Sequence, residues 1–134
     1  MAAPLRLVYW PARGLMEPAR MMCAISGTAV SDERLGAPIA DAALIDANLG
    51  RMPLLVTPEG VAIGQSPAIW HYVAETQGFM GANPTEAAAI VSFVEHFKEI
   101  GDAYGKLVPW GTVPTAEANA AASTLPARRA RISP

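Results

Sequence analysis

Residues 50–77 read GRMPLLVTPEGVAIGQSPAIWHYVAETQ, and the rest of the chain is organised around this stretch. Two short apolar runs flank Pro58-Glu59-Gly60, a pattern typical of two antiparallel strands joined by a tight turn. Ser66 and Pro67 then predict a helix start, because serine is a preferred N-cap residue and proline fits the first helical position. Gly78 supplies the stop. The stretch therefore predicts a β-hairpin followed by a helix whose N-terminus, with unpaired N–H groups, suits a carboxylate or a phosphate.

The composition indicates a soluble globular chain of 134 residues, 51% of them hydrophobic, with a formal net charge of −2. This charge, without a basic patch that has interleaved aromatic residues, argues against nucleic acid as a partner. The single cysteine, Cys23, excludes an internal disulfide framework and a cysteine-rich zinc site; His71 and His96 are isolated, so we expect no bound metal. Because we find no secretory signal and no apolar run long enough to span a bilayer, we expect a cytoplasmic protein without a membrane partner.

The segments before the hairpin alternate between strand and helix patterns. Residues 5–10 are β-branched and aromatic and predict a first strand, whereas 15–26 have helical spacing with Gly27 just past the end. A weaker strand is predicted at 28–35 and a second helix at 39–48. With the hairpin and its following helix, the predicted order is βαβαββα over about 80 residues.

The segment after the hairpin unit begins with another helix start. Asn83 is suited to cap the helix, Pro84 to its first position, and Glu86 follows three residues after the cap. Ile90, Val94, Phe97 and Tyr104 keep one apolar stripe along the helix that follows. Beyond this helix, alanine, proline, threonine and serine dominate, and the apolar residues show neither helical nor strand periodicity. We therefore expect a first domain at 1–80, a linker and long helix at 81–106, and a disordered tail at 107–134.

Four segments of the chain resemble tyrosine-type glutathione transferases, most closely the sigma class. The element order, with a proline opening the third strand, is also similar to the thioredoxin-like fold. The four segments are LVYWPARG at 7–14 followed by Glu17 and Arg20, GRMPLL at 50–55, GQSPAI at 64–69 followed by YVA at 72–74, and 86–102. The resemblance implies an α/β fold, with a thioredoxin-like βαβαββα domain followed by one long helix of a truncated all-α domain.

The resemblance implies glutathione as co-substrate, with no other cofactor. The thiol of glutathione must ionise before it can attack an electrophile, and a free thiol has a pKa near ~8.5. Lowering that pKa by about 2 units requires roughly 2.7 kcal/mol of preferential stabilisation of the anion. Tyr9 matches the family's catalytic tyrosine and Arg13 the arginine close to the sulfur. The alternatives are a core aromatic residue for Tyr9 and a solvated loop cation for Arg13.

The resemblance also assigns the binding residues for the rest of the tripeptide. Gln65 and Ser66 match the pair that holds the γ-glutamyl carboxylate, although Ser66 could also serve only as a cap. Met52 matches the position whose backbone pairs with the cysteinyl residue, provided that the bond to Pro53 is cis rather than trans. Arg51 matches a residue near the glycyl carboxylate, with a surface cation as the alternative.

The expected partners are glutathione, a small electrophilic substrate and a second copy of the chain in a homodimer. Glu99 matches the acidic residue that reaches the partner subunit's glutathione, and its alternative is a solvated helix face. Residues 36–49 lack the tryptophan or lysine that the family often places near the glycyl carboxylate, and only the first helix of the family's second domain is recognisable. We interpret the chain as a glutathione transferase that conjugates glutathione to electrophiles. The rival interpretations are a non-catalytic glutathione-binding protein and an interaction module that uses its exposed long helix.

Overall fold

The computed structural model describes residues 3–34, 42–46 and 48–108, and residue 117. Its first seven elements follow the predicted βαβαββα order, and one long helix comes after them. The elements are β1 (Leu5–Tyr9), α1 (Glu17–Ser26), β2 (Val30–Arg34), α2 (Ala42–Asp46), β3 (Leu54–Val56), β4 (Ala62–Gly64), α3 (Ser66–Thr76) and α4 (Pro84–Leu107). A short 3₁₀ turn at Gly14–Met16 precedes α1.

The four strands form one sheet in the order β2-β1-β3-β4. Strand β1 pairs in parallel with β2, which requires a crossover connection, and α1 supplies it. Strand β3 is antiparallel to both β1 and β4. The predicted hairpin is confirmed: β3 and β4 pair, and the N–H of Thr57 donates to the carbonyl of Val61 at 2.9 Å across the turn.

The hydrophobic core lies between one face of this sheet and helices α1 and α3. Alternate residues of β1 point to the same face, so Leu5, Leu7 and Tyr9 are buried together. Ala19 and Cys23 from α1 and Ile69 and Val73 from α3 complete the cluster, along with Met16 and Leu55. Tyr9 is therefore the last inward-facing residue of β1, at the end of the strand that leads into the Gly14–Met16 turn.

Local sequence signals set most of the helix ends as predicted. Gly27 has a left-handed φ of 71° immediately after α1, where a residue with a β-carbon would be strained. At the start of α4, the N–H of Glu86 donates to Oδ1 of Asn83 at 3.0 Å, and the Glu86 carboxylate accepts from the N–H of Ala82 at 2.7 Å. The predicted capping arrangement is thus confirmed.

The chain divides into two compact units, Met1–Ala87 and Ala88–Pro134. The predicted domain boundaries at 80 and 106 stay predictions. Helix α2 falls within the helix predicted at 39–48, of which 39–41 and 47 lie outside the described residues. The predicted disordered tail also lies outside them, apart from 107, 108 and 117. Within the part of the chain that the structure describes, every helix is too short or too polar to cross a membrane.

Candidate functional site

The register of the sheet brings three of the predicted site residues into one row. Val8 of β1 pairs with Leu54 of β3, and Leu54 pairs with Gly64 of β4. Because these strands are antiparallel, the residues one position beyond the last paired ones are Tyr9, Pro53 and Gln65, all at the same edge of the sheet. Neighbouring strands lie about 4.8 Å apart, so this row spans about 10 Å. That length is close to the extended length of three residues, which is about 10 Å.

Tyr9 is 6% exposed, and the turn after β1 surrounds its hydroxyl. The N–H of Leu15 donates to the hydroxyl oxygen over 3.4 Å. A β-carbon added at Gly14, which has a φ of 41°, would lie only 2.8 Å from that oxygen. Since the oxygen accepts this bond, the phenolic hydrogen stays available to donate to another acceptor.

Trp70, which the sequence analysis assigned no role, connects this turn to α3. Its indole Nε1–H donates to the carbonyl of Leu15 at 2.7 Å, and the N–H of Leu15 in turn approaches Tyr9. Leu15 is therefore held through both its N–H and its carbonyl. The two ends of the Trp70 contact are 55 residues apart in the chain, so no local pattern could have indicated it.

Two arginines near this turn occupy different environments: Arg13 lies at its start and Arg20 on helix α1. The Arg13 side chain is 88% exposed, with its Nε 3.8 Å from a carboxylate oxygen of Glu17. The Arg20 side chain is only 10% exposed; it donates to Asp32 at 3.0 Å and to the carbonyl of Ala12 at 2.9 Å. The carbonyl of Arg13 accepts a further bond from Arg20 at 3.3 Å. Arg20 therefore holds the backbone of the turn that presents Arg13.

Asp32, on strand β2, accepts hydrogen bonds from two arginines. They are Arg20 of helix α1 and Arg34 of the same strand. Burial alone would raise the pKa of the Asp32 carboxyl, but hydrogen bonds from both arginines and their positive charges outweigh it and lower the pKa. The ionised form of Asp32 is thus favoured, and it anchors Arg20 beneath the turn.

The second part of the candidate site is the bend before β3. The Met52–Pro53 peptide bond is cis, as the sequence analysis expected from the resemblance. Pro53 is buried, Met52 is half-buried against the core cluster, and Arg51 is exposed. Among the described residues, none forms a backbone hydrogen bond with Met52, so its N–H and carbonyl are available to a ligand.

Asn48 supports this bend, although the sequence analysis gave it no role. Its Nδ2 donates to the carbonyls of Arg51 at 2.6 Å and Pro53 at 3.1 Å. The carbonyl of Asn48 accepts from the N–H of Arg51, and the two residues between them have positive φ, 54° at Leu49 and 71° at Gly50. Asn and Gly are common in turns, and that signal could have indicated a turn here but not the side-chain contacts.

The third part of the candidate site is the junction between β4 and α3, where one prediction was wrong. Helix α3 begins at Ser66, and Gln65 rather than Ser66 is its N-cap, without a side-chain capping bond. The reason is the backbone conformation of Gln65, with a φ of 66° and a ψ of 117°. This conformation turns the chain so that the helix begins at Ser66, one residue before the predicted first helical residue, Pro67. Ser66 is buried in the first turn, where N–H groups lack helical partners. A positive φ on a residue with a side chain is strained and occurs often at ligand sites.

Glu99 is exposed on α4, in the second compact unit, and its predicted contact with a partner subunit stays a prediction. His71 and His96 are exposed on α3 and α4. Among the described residues, no three His, Cys, Asp or Glu side chains are grouped closely enough to hold a metal ion.

Comparisons with known proteins agree on one family. No protein-family model matches the chain. The chain is 36% identical over 94 residues to probable glutathione S-transferase 6 of Caenorhabditis elegans, covering 70% of this chain and 45% of that protein. It is 34% identical over 107 residues to hematopoietic prostaglandin D synthase of Gallus gallus, covering 78% of this chain and 50% of that protein.

A solved structure supports the same assignment. Monomeric Na-GST-3, a glutathione S-transferase from the hookworm Necator americanus, matches with a TM-score of 0.70 and 27% identity, over 78% of this chain and 51% of that one. The chain spans about half the length of the curated relatives it matches. The fold is the thioredoxin-like fold of these proteins, and the chain belongs to the glutathione S-transferase family.

Proposed function

We propose that this chain binds glutathione along the row formed by Tyr9, Pro53 and Gln65 and activates its thiol for attack on a small electrophile. The observation that supports this proposal is the register of the sheet, because it puts the end of β1, which carries Tyr9, about two strand spacings from the end of β4, where α3 begins. An extended tripeptide has the length to reach from one to the other. The sulfur would lie beside Tyr9 and the γ-glutamyl carboxylate beside Gln65.

The proposed chemistry is thiolate stabilisation by Tyr9. The hydroxyl donates its hydrogen to the sulfur, and the Leu15 N–H at 3.4 Å from the oxygen strengthens that donation by polarising the phenol. A hydrogen bond to the ionised form lowers the pKa of the thiol, and the Arg13 cation on the adjacent turn favours the same form. Together they must supply roughly 2.7 kcal/mol to bring a pKa near ~8.5 down by about 2 units.

The remaining contacts would hold the tripeptide in place. The free backbone groups of Met52 pair with the cysteinyl residue as a short added strand. The γ-glutamyl carboxylate meets the unpaired N–H groups at the start of α3, the Gln65 side chain and the Ser66 hydroxyl. The Gln65 side chain makes no capping bond, which leaves its amide for this role. Arg51, exposed before the bend, approaches the glycyl carboxylate.

Turnover of an aryl halide by the purified chain tests this proposal, with calorimetric glutathione binding measured alongside. Tyr9→Phe is expected to keep glutathione binding within about threefold and to lower kcat by at least about tenfold, because it removes only the hydroxyl. Tyr72→Phe, a half-buried tyrosine of α3 outside the row, is the matched control and should retain activity. An unchanged rate in Tyr9→Phe would overturn the catalytic assignment, and binding without any turnover would favour a non-catalytic glutathione-binding protein.

The exposed apolar side chains of α4 favour a second role, association with another copy of the chain. Phe93, Phe97 and Ile100 are all exposed, and the two phenylalanine rings contact each other at a centroid distance of 4.9 Å. Burying one such side chain is worth about 1.5–3 kcal/mol. In the homodimer, Glu99 would reach the partner subunit's glutathione. Analytical ultracentrifugation of Phe97→Ser should show a smaller dimer fraction than wild type. If wild type is itself monomeric, the homodimer proposal fails, and the exposed face of α4 would instead bind a different protein.

We also assign the protein to the cytoplasm and, within the family, to the sigma class. Burial raises the pKa of the Cys23 thiol, the chain's single cysteine, and keeps it in its unreactive form. A lone buried thiol suits a compartment in which thiols stay reduced. The sigma assignment is supported by the LVYWPARG segment at 7–14.

A further inference from the structure

Asn48 contacts the carbonyl of the residue on either side of Met52. Its Nδ2 donates to the carbonyl of Arg51 at 2.6 Å on one side and to the carbonyl of Pro53 at 3.1 Å on the other. An amide nitrogen has two hydrogens to donate, so both bonds can form at once. One side chain thereby fixes the backbone before and after the residue that would pair with the ligand.

The same carboxamide lies against Gly64, the last residue of β4. A β-carbon added at Gly64 would collide with Cγ and Oδ1 of Asn48 and lie 2.9 Å from Nδ2, and all three of these nearest atoms belong to Asn48. The φ of Gly64 is outside the left-handed region, so its backbone would accept alanine. Glycine is required here only for the space that Asn48 occupies.

We propose that Asn48 is a positioning residue for glutathione. It sets the distance and orientation between the Met52 backbone, which would hold the cysteinyl residue, and Gly64-Gln65, which leads to the γ-glutamyl site. The inference rests on the proposed function and adds to it a residue that acts through two backbone segments rather than through the sulfur.

The two contacts of Asn48 depend on each other. The carboxamide could make room for a β-carbon at Gly64 only by rotating, and rotation would break the bonds to Arg51 and Pro53. A substitution at Gly64 should therefore disturb the Met52 bend, although the bend is 11 or more residues away in sequence. The disturbance should vanish when the Asn48 side chain is already absent.

Calorimetric titration with glutathione tests the proposal, because it yields the Kd and the stoichiometry separately. Asn48→Ala is expected to raise the Kd about tenfold at unchanged stoichiometry, the effect of losing one to two hydrogen bonds that order the site. A merely structural role would lower the stoichiometry, as part of the sample unfolds, and leave the Kd of the folded part unchanged. The control is Leu49→Asn in the same turn: Leu49 is 81% exposed, and asparagine tolerates its φ of 54°.

A double-mutant cycle supplies the second measurement. Gly64→Ala alone should raise the Kd about tenfold or more, whereas in the Asn48→Ala background it should add less than about twofold. Effects that multiply independently would overturn the proposed contact. Should Asn48→Ala not fold, Asn48→Asp serves for the Kd measurement alone, since it keeps the shape, and with it the collision at Gly64, but turns an acceptor toward two carbonyls.

The outcomes distinguish failure of the inference about Asn48 from failure of the proposed function. If wild type binds glutathione and Asn48→Ala binds it equally well, the inference about Asn48 fails and the proposed function stands. If wild type binds no glutathione, both fail together.

Discussion

Arg20 holds the turn that presents Arg13, and its replacement by methionine should destabilise the protein by about 2 kcal/mol. The bonds to Asp32 at 3.0 Å and to the Ala12 carbonyl at 2.9 Å are charge-assisted, each worth about 1.5 kcal/mol. Against this, Nη2 of Arg20 is buried without a partner among the described residues, and removing it recovers about 1 kcal/mol. Methionine keeps most of the apolar stem, so packing is largely preserved. The net loss is measurable as a lower urea midpoint at an unchanged m-value.

The loss should depend on pH in a defined direction. The pKa of Asp32 is lowered in the folded protein, so the stability it contributes is present above the ordinary carboxyl pKa of about 4 and is lost as the pH falls through the folded value. The difference between wild type and Arg20→Met should therefore be full near neutral pH and shrink below about pH 4.

Arg34→Met is the matched control for this prediction. Arg34 also contacts Asp32, at 2.8 Å, but its side chain is 50% exposed, so the change should cost no more than about 0.5 kcal/mol. Equal destabilisation by the two substitutions, or an Arg20→Met effect that persists unchanged in acid, would refute the reasoning.

Three further substitutions test other contacts by urea unfolding or hydrogen exchange. Ile69→Ala, at a fully buried core position, should lower the unfolding free energy by about 2–5 kcal/mol, and a loss below about 1 kcal/mol would contradict the burial. Asn83→Ala removes the acceptor of the Glu86 N–H and should cost about 1 kcal/mol, with faster amide exchange in the first turn of α4; unchanged exchange would argue against the cap. Trp70→Phe removes the donor to the Leu15 carbonyl and should lower the unfolding free energy by about 1 kcal/mol. An unaltered urea midpoint would mean that this hydrogen bond does not stabilise the protein.

The order of the elements could be predicted from the sequence because its signals are local. The Pro58-Glu59-Gly60 turn, the glycine at 27 and the cap at Asn83 each need only their immediate neighbours, and the structure has all three. The helix start at Ser66 was misplaced by one residue because Gln65 adopts a left-handed φ, which its side chain does not favour. That conformation follows from how β4 meets α3 and has no signature in composition.

The contacts that shape the candidate site could not be predicted in this way. Trp70 and Leu15, Arg20 and Asp32, and Asn48 and Gly64 meet only after the sheet and helices have packed. The row of Tyr9, Pro53 and Gln65 follows from strand register, which a sequence pattern does not specify between distant strands. The roles of Tyr9, Arg13 and Gln65 came from the family resemblance. They stay predictions, which glutathione binding and turnover measurements test.

The most direct test of the central claim is the pKa of the thiol of bound glutathione, followed as thiolate ultraviolet absorbance during a pH titration of the complex. Stabilisation by the Tyr9 hydroxyl predicts a midpoint about 2 units below the ordinary ~8.5 in wild type and a return most of the way toward that value in Tyr9→Phe. An unshifted midpoint in wild type, or the same lowered midpoint in both proteins, would contradict the account.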